Sequence, residues 1–258
     1  RRACGFVLFS AVVGVRSIVA GGFPRRVDGV LSMSPPLTLG LTGWITKLFR
    51  GGMLVFNIQD IFPDAAAQTG AITNKQILRA ARWLERVSYE RSDAVVLLSE
   101  DLKQNVAAKL STKFHNRLQV IPNFVDTSAI VPGNRMTSYR RELGIDDRVI
   151  VMYAGNVGFS QSLELVLAAA KSMPNIAFVI NGDGAARKSL QDRAKNENIG
   201  NVYFADYQPI ERLSEVLASG DIHVVPLKTG LASVSVPSKM YSILSAGRPV
   251  LAAIDSDT

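Results

Sequence analysis

Cysteine is almost missing from this chain. Cys4 is the single one in 258 residues, and histidine occurs only at His115 and His223, far apart in sequence. A lone thiol builds no disulfide framework, and without a Cys/His cluster there is no structural zinc site. Long apolar runs are also lacking. The stretch 4–20 imitates a signal peptide, but Arg16 interrupts it and no initiating Met precedes it. Its uninterrupted length falls short of the roughly 20 residues that a spanning helix needs, so a buried or interfacial helix is expected there. No repeat or low-complexity segment is present. The absent Met and a chain that stops just after an apparent strand suggest a longer protein lacking both ends.

What is present is a globular composition, 47% hydrophobic with a net charge of +7. That excludes disorder as the main state and gives enough chain for one large or two modest domains. The charge is divided unevenly. Residues 1–140 hold 18 Lys/Arg against 9 Asp/Glu, a net +9, whereas residues 141–258 hold 11 against 13, a net −2. The basic half is expected to meet something anionic: a membrane surface, a polyprenyl pyrophosphate or nucleic acid. A merely soluble basic surface is the alternative.

Short apolar runs alternate with helical patterns, which predicts α/β architecture with parallel strands joined by helical crossovers. Strands are expected at 27–33, 53–58, 94–98, 118–121, 148–154, 176–181, 202–205, 222–226 and 249–254. Helices fill the intervals, chiefly 74–91, 100–110, 163–172, 185–198, 210–219 and 238–246. The polar stretch 126–140, with Pro132 and Gly133, is the linker candidate. Two α/β domains facing one another across a cleft are therefore expected, residues 1–130 and 131–258.

Three strings in the second half place small residues where a strand gives way to a helix: "YAGNVGFSQSLELVLAAA" at 153–170, "VINGDGAA" at 179–186 and "VPLKTGLASVSVPSKMYSILSAGRPVLA" at 225–252. Gly155, Asn156 and Gly158 follow one apolar run and precede an amphipathic stretch starting near Gln161. Unpaired backbone amides and a helix dipole would there converge on one place, a seat for a diphosphate. A tight turn without any ligand is the competing reading, because a lone glycine pattern is weakly specific. In the first half, Lys75, Arg79, Arg82 and Arg86 fall at i, i+4, i+7 and i+11, so four cations share one helix face. Ile77, Ala80, Leu84 and Val87 form an apolar stripe. Either solvent bathes those cations or an anionic head group compensates them. His223, in the alternating run "DIHVVPL", reads as a packed strand residue.

Six segments together carry a family likeness: "VFNIQDIFPDAA" at 55–66, "DAVVLLSEDLKQNV" at 93–106, "VIPNFVDTSAI" at 120–130, "YAGNVG" at 153–158, "FADYQPIERLSEVLASGDIHVVPLK" at 204–228 and "VPSKMYSILSAGRPVLA" at 236–252. In order and spacing they resemble the family 4 glycosyltransferases over nearly the whole chain. The bacterial subgroup that adds amino sugars such as N-acetyl-fucosamine to lipid-linked O-antigen or capsule intermediates is the nearest likeness. The resemblance implies a GT-B architecture of two Rossmann-like domains, here both incomplete: the second takes a nucleotide-sugar, most simply a UDP-linked N-acetylated amino or deoxy sugar, and the first takes the acceptor. It also implies retention at the anomeric carbon without a bound metal or other cofactor, and location at the cytoplasmic face of the membrane as a peripheral protein. No Asp-x-Asp pair is placed to hold a cation between phosphates, so leaving-group charge falls to backbone donors and cations.

Carried over residue by residue, the resemblance puts Gly155, Asn156 and Gly158 at the donor diphosphate, with Lys239 as a nearby cation. Ser238 either donates to a phosphate oxygen or caps its helix. Gly182 and Asp183 follow a strand at the carboxyl edge where ligands lie in such sheets; Asp183 either binds a donor hydroxyl or serves the turn. Tyr207 and Gln208 match the segment that holds the nucleobase, and Lys228 sits at another strand end. Asp60 orients the acceptor hydroxyl, takes its proton, or merely forms a turn before Pro63. Two departures stand out. Where many relatives carry a Glu-x7-Glu pair whose second member grips the ribose, this sequence has Val234 and Ser242. Where others have His before the Asp, it has Gln59, which donates to a sugar hydroxyl but cannot act as a base.

Two other readings remain open on sequence alone, a nucleotide-sugar epimerase and a non-catalytic nucleotide-sugar-binding partner. Nucleic-acid binding is disfavoured, because the basic helix has one aromatic neighbour, Trp83, and no stacking platform.

Overall fold

The computed structural model describes residues 2–20 and 22–256, with the side chains of residues 2–4 outside that description. Contacts divide the chain into two compact units. One runs to Pro122 and also takes Gly230–Val236; the other holds Asn123–Thr229 and resumes at Pro237. Residues 123–130 thus go with the second unit.

The first unit is a parallel sheet in the order β1 (Gly29–Ser34), β2 (Met53–Ile58), β3 (Ala94–Leu97), β4 (Leu118–Val120). Its helices are α1 (Arg2–Val19), α2 (Thr38–Arg50), α3 (Asp64–Gln68), α4 (Lys75–Arg91) and α5 (Glu100–Lys109). Leu54, Phe56 and Ile58 alternate into the core from the central strand β2, the period-2 pattern of a pleated strand. Asn74 starts α4 by accepting from the amides of Gln76 at 2.9 Å and Ile77 at 3.2 Å, and Ser99 starts α5 through Leu102 at 3.3 Å. Such caps satisfy amides that a helix leaves unpaired at its first turn.

Helix α1 is not buried. Its inner face is hydroxylic: Ser10 meets Thr38 at 2.6 Å and Ser17 meets Thr46 at 2.6 Å, both threonines on α2. Arg50, itself buried, donates to the carbonyls of Ile18 at 2.7 Å and Ala20 at 2.6 Å and so closes the carboxyl end of α1, where a cation also suits the helix dipole. The outer face, with Val7, Leu8, Val12 and Val15, is exposed. Among the described residues no helix is long and apolar enough to cross a membrane.

On α4 the face turned to the core differs from the stripe read in sequence. Glu85, Ser88 and Tyr89 are buried, whereas Ile77 and Ala80 are exposed. Polar residues won that face because their partners came with it. Lys109 donates to Glu85 at 2.9 Å, Tyr89 donates to the same carboxylate at 3.1 Å, and Ser88 donates back to the Leu84 carbonyl at 2.8 Å. Burial pushes the Glu85 carboxyl up despite Lys109.

The second unit is α6 (Ser138–Glu142), β5 (Ile150–Ala154), α7 (Glu164–Ser172), β6 (Ala177–Asn181), α8 (Arg187–Asn196), β7 (Val202–Ala205), α9 (Leu213–Ser219), β8 (Ile222–Pro226), α10 (Lys239–Ser245) and β9 (Val250–Ala253). Its five strands are all parallel, ordered β7-β6-β5-β8-β9. Connections run outward from β5 in one direction and from β8 in the other, so the topological switch point lies between those two strands. Ligands of open α/β sheets lie at that point, beyond the carboxyl ends. The strands read as near-continuous apolar runs because both faces are covered: Val151 and Tyr153 pack with α7 and α8, Ile150 and Met152 with Tyr139 and Val216. His223 is buried in β8 with Nε2 at 2.9 Å from the Leu217 carbonyl, and burial pushes its pKa down. It is a packed strand histidine.

Candidate functional site

At the carboxyl end of β5 the chain enters Gly155-Asn156-Val157-Gly158, and at the end of β6 it enters Gly182-Asp183-Gly184. The two loops press against each other. A Cβ on Gly182 would stand 2.0 Å from the Gly155 carbonyl oxygen, and one on Gly184 would stand 2.4 Å from that of Val157, while both residues hold positive φ, +138° and +158°. Glycine is required here by backbone meeting backbone.

That contact also uses the amides. Gly155 donates to the Asn181 carbonyl at 2.9 Å, Val157 to the Asp183 carbonyl at 2.9 Å, and Gly158 to Oε1 of Gln161 at 3.0 Å. The expected convergence of unpaired amides is therefore not what the loop presents, and α7 begins at Glu164 rather than near Gln161. Of these three, only the Gly158 amide is held by a side chain, one that an incoming anion could displace. Asp183 serves its turn, its carboxylate accepting from the Gly184 amide at 2.8 Å. Ser238 stands at the N-cap of α10 without a side-chain capping bond.

Lys239 opens α10 and comes to this same edge. Its Nζ donates to the Tyr153 hydroxyl at 2.6 Å and lies 3.9 Å from the centre of that ring. Tyr153 in turn donates to the Asn156 carbonyl at 2.5 Å, so a short relay ties the ammonium to the loop after β5. A Cβ on Gly155 would meet Nζ at 3.1 Å, which gives the glycine a second duty: it leaves room for the cation. No described ion pair involves Lys239. Loss of hydration pushes its pKa down to about 8, because burial without a counter-charge disfavours the charged form. Burial raises the Tyr153 hydroxyl further above its ordinary value, with Tyr207 adding to it, so Tyr153 stays a neutral hydrogen-bonding group.

Beside this pair is a cavity of about 150 Å³, lined by Gly155, Asn181, Tyr207, Gln208, Lys239 and Ser242 over a floor of Leu217 and Ile243. It is smaller than the ~300–1,000 Å³ that holds a whole small ligand, and suits part of one, such as a diphosphate or a single ring. Tyr207 and Gln208 reach it from the loop after β7, and Ser242 stands one turn along α10 from Lys239. Lys228 is exposed and is not among the lining residues. Tyr153 and Asn181 were not singled out in the sequence. Their signal is position: each lies at the end of a buried strand, directly before or one residue from a glycine. Asn181 is held by the Tyr139 hydroxyl, which burial raises to about 12.

In the first unit, Gln59 and Asp60 follow β2. The Gln59 amide donates to the Ser34 carbonyl at 3.1 Å and its side chain to Asn57 at 3.0 Å. Asp60 forms an antiparallel bridge with Ser235, whose hydroxyl donates to Oδ1 at 2.5 Å, and the next amide, Ile61, donates to the Val234 carbonyl at 2.8 Å. The Asp60 carboxylate is thus oriented by Ser235. On α4, Arg86 pairs with Glu90 at 2.8 Å and Arg82 approaches Asp64 at 4.0 Å, while Lys75 and Arg79 occur in none of the described ion pairs. The four-cation face is therefore partly compensated from within.

Residues 136–254 match the family model described as glycosyl transferases, group 1. The probable glycosyltransferase WbjE of Pseudomonas aeruginosa is 27% identical over 237 residues, covering 90% of this chain and 58% of that protein. The putative colanic acid biosynthesis glycosyl transferase WcaI of Escherichia coli (strain K12) is 28% identical over 235 residues, 87% of this chain and 56% of that protein. The chain thus spans less than two thirds of the length of these relatives. Among solved structures, sucrose-phosphate synthase from Thermosynechococcus elongatus superposes with a TM-score of 0.74 at 17% identity, over 96% of this chain and 60% of that one. Anabaena HepE in complex with UDP and glucose gives 0.71 at 16%, over 94% and 62%. The parallel Rossmann-like sheets are those of GT-B glycosyltransferases, and the unit bearing Gly155 and Lys239 is the one whose sequence matches the glycosyl transferase group 1 model.

Proposed function

We propose that this chain is the substrate-binding core of a retaining glycosyltransferase that takes a sugar from a nucleotide-diphosphate donor, a UDP-linked N-acetylated amino or deoxy sugar, to a lipid-linked or polysaccharide acceptor. The observation that carries the reading is Lys239: a desolvated ammonium at the carboxyl edge of a parallel sheet, against an aromatic ring, with no carboxylate paired to it among the described residues. In a low-dielectric setting such a charge favours an anion strongly. The relatives' names agree with the class of reaction, and the UDP in the HepE complex agrees with the class of donor.

In this reading the donor diphosphate meets Lys239, Asn156 and the Gly158 amide after Gln161 gives way, and the nucleobase rests by Tyr207 and Gln208. The bond between anomeric carbon and diphosphate oxygen breaks, and the electron pair leaves with the nucleotide. The acceptor oxygen forms the new glycosidic bond on the same face and passes its proton to the departing phosphate oxygen. Asp60, held by Ser235, orients the acceptor hydroxyl and Gln59 donates to the acceptor sugar. The chemistry is proposed to need no metal or other cofactor, and the protein to sit peripherally at the cytoplasmic face of an anionic membrane, supported by the basic first unit and the exposed outer face of α1.

The test is calorimetric titration with UDP and with a panel of UDP-sugars in excess EDTA, followed by nucleotide release with a short-chain polyprenyl-pyrophosphoryl saccharide. UDP should bind, and Lys239→Ala should weaken it by about 10- to 100-fold, the worth of a hydrogen bond to a charged group at roughly 1.5–3 kcal/mol. Unchanged affinity in Lys239→Ala would remove the reading's foundation.

A further inference from the structure

The first unit holds an apolar groove of about 450 Å³ that nothing above uses. Its walls are Pro35 and Pro36, which follow β1, Phe62, which follows β2, and Ile77, Trp83 and Leu84 from α4, with the first turns of α1 at one end. Its lining is almost wholly apolar and open. Trp83 is 65% exposed and Ile77 54%, so a large aromatic and a branched aliphatic side chain stand in water on a helix whose core face is occupied by polar residues. A concave apolar surface of this size is of the kind that takes a ligand.

Its place in the fold limits the occupant. The groove lies at the carboxyl ends of β1 and β2, and Phe62 is two residues from Asp60. Trp83 lies one turn from Arg79, and Arg79 one turn from Lys75, so an exposed strip of α4 passes from two cations without a described carboxylate partner to the aromatic at the groove. An apolar slot with cations on the same helix complements a chain that carries an anion at one end.

The geometry points to the prenyl chain of a phosphorylated lipid as the occupant, its phosphate met by Lys75 and Arg79 and its hydrocarbon lying over Trp83 between the Pro35-Pro36 segment and Leu84. This rests on the acceptor reading above and names the apolar part of that acceptor. Chain release from water supplies the affinity, and the cations select a phosphate over a neutral alcohol.

Trp83 reports on its own occupancy. The protein has two tryptophans, and Trp44→Phe leaves Trp83 as the single emitter. Titration of that variant with farnesyl phosphate below its aggregation point should give a saturable blue shift. Inorganic phosphate should give none, and farnesol should bind at least fewfold more weakly. Ile77→Asp, and independently Ala80→Glu, both at exposed positions, should weaken farnesyl phosphate by about tenfold while far-UV circular dichroism is unchanged. No saturable shift, or a shift indifferent to both substitutions, would overturn the assignment. So would a lipid-free dimer in sedimentation that Ile77→Asp dissolves, since the groove would then belong to a second copy. UDP binding at Lys239 is measured separately, so loss of one result leaves the other standing.

Discussion

The two ends of the second sheet each hold a desolvated cation, and they are handled in opposite ways. At the amino ends of β5 and β8, Arg140 is 1% exposed and fully engaged: it donates to the Ser219 carbonyl at 2.9 Å, the Asp146 carbonyl at 2.9 Å, the Arg148 carbonyl at 3.0 Å and the Asp221 carboxylate. Asp221 also takes Arg135 at 2.9 Å and the Ile150 amide at 2.8 Å. Burial alone would raise the Asp221 carboxyl, but the Ile150 amide and the two arginines outweigh it and hold the pKa below the usual range. At the carboxyl ends, Lys239 has one hydroxyl and a ring face. A charge whose every donor is spoken for holds a fold together; one left short of a counter-charge is ready for a ligand. The same sheet has a finished end and an unfinished one.

The largest effect comes from breaking the finished end. Arg140→Met should destabilise by about 3–5 kcal/mol, because it strips the Ser219, Asp146 and Arg148 carbonyls of their donor and leaves Asp221 with Arg135 as its remaining cation, and UDP affinity measured at a temperature where the variant is folded should stay unchanged. Urea unfolding reads the first and calorimetry the second. A smaller loss, about 1–3 kcal/mol, is expected for Gly182→Ala, where the new methyl would strike the Gly155 carbonyl. Because that contact shapes the loop beside Lys239, UDP affinity should fall with stability, and the absence of any such fall would uncouple the loop from the site.

The smallest effect is a pH trend at the unfinished end, about 1 kcal/mol over the first pH unit above 8. Lys239 has a folded pKa of about 8, below the unfolded value of about 10.4. Below pH 8 both states carry the proton and the cost of burying the charge is fully present. Between pH 8 and about 10.4 the unfolded state binds more protons, so this residue's contribution to stability rises with pH. UDP affinity should run the other way, falling as the ammonium is lost above pH 8. Lys239→Met should flatten both trends; affinity that still falls above pH 8 in that variant would place the titrating group elsewhere.

Legibility in the sequence followed the range of the interaction. The nine described strands were readable because apolar runs bounded by glycine and polar residues are local, whereas the stretch 126–140 expected as the linker lies inside the second unit, the division falling at Pro122 and Asn123. The edge motifs were readable in part: Gly155 and Lys239 line one cavity, and Gly182 packs on the Gly155 carbonyl beside it. What the glycines do there was not. Whether an amide faces a ligand or the Asn181 carbonyl depends on a neighbouring strand 26 residues away in sequence. The α4 stripe misled for the same reason, since Lys109 and Tyr89 made a burial site for Glu85 that no 3.6-residue period announces.

The sequence by itself determined that the chain is α/β, that its cations crowd the first half, and which turns carry small residues ahead of helices. Those properties depend on composition and on neighbours a few residues apart. Only the tertiary structure decided that Lys239 lies on the Tyr153 ring across 86 residues, that Ser235 orients Asp60 across 175, and that Ile77 and Trp83 face an open groove. Burial and charge pairing are properties of whatever the fold brings alongside, and no local pattern encodes them.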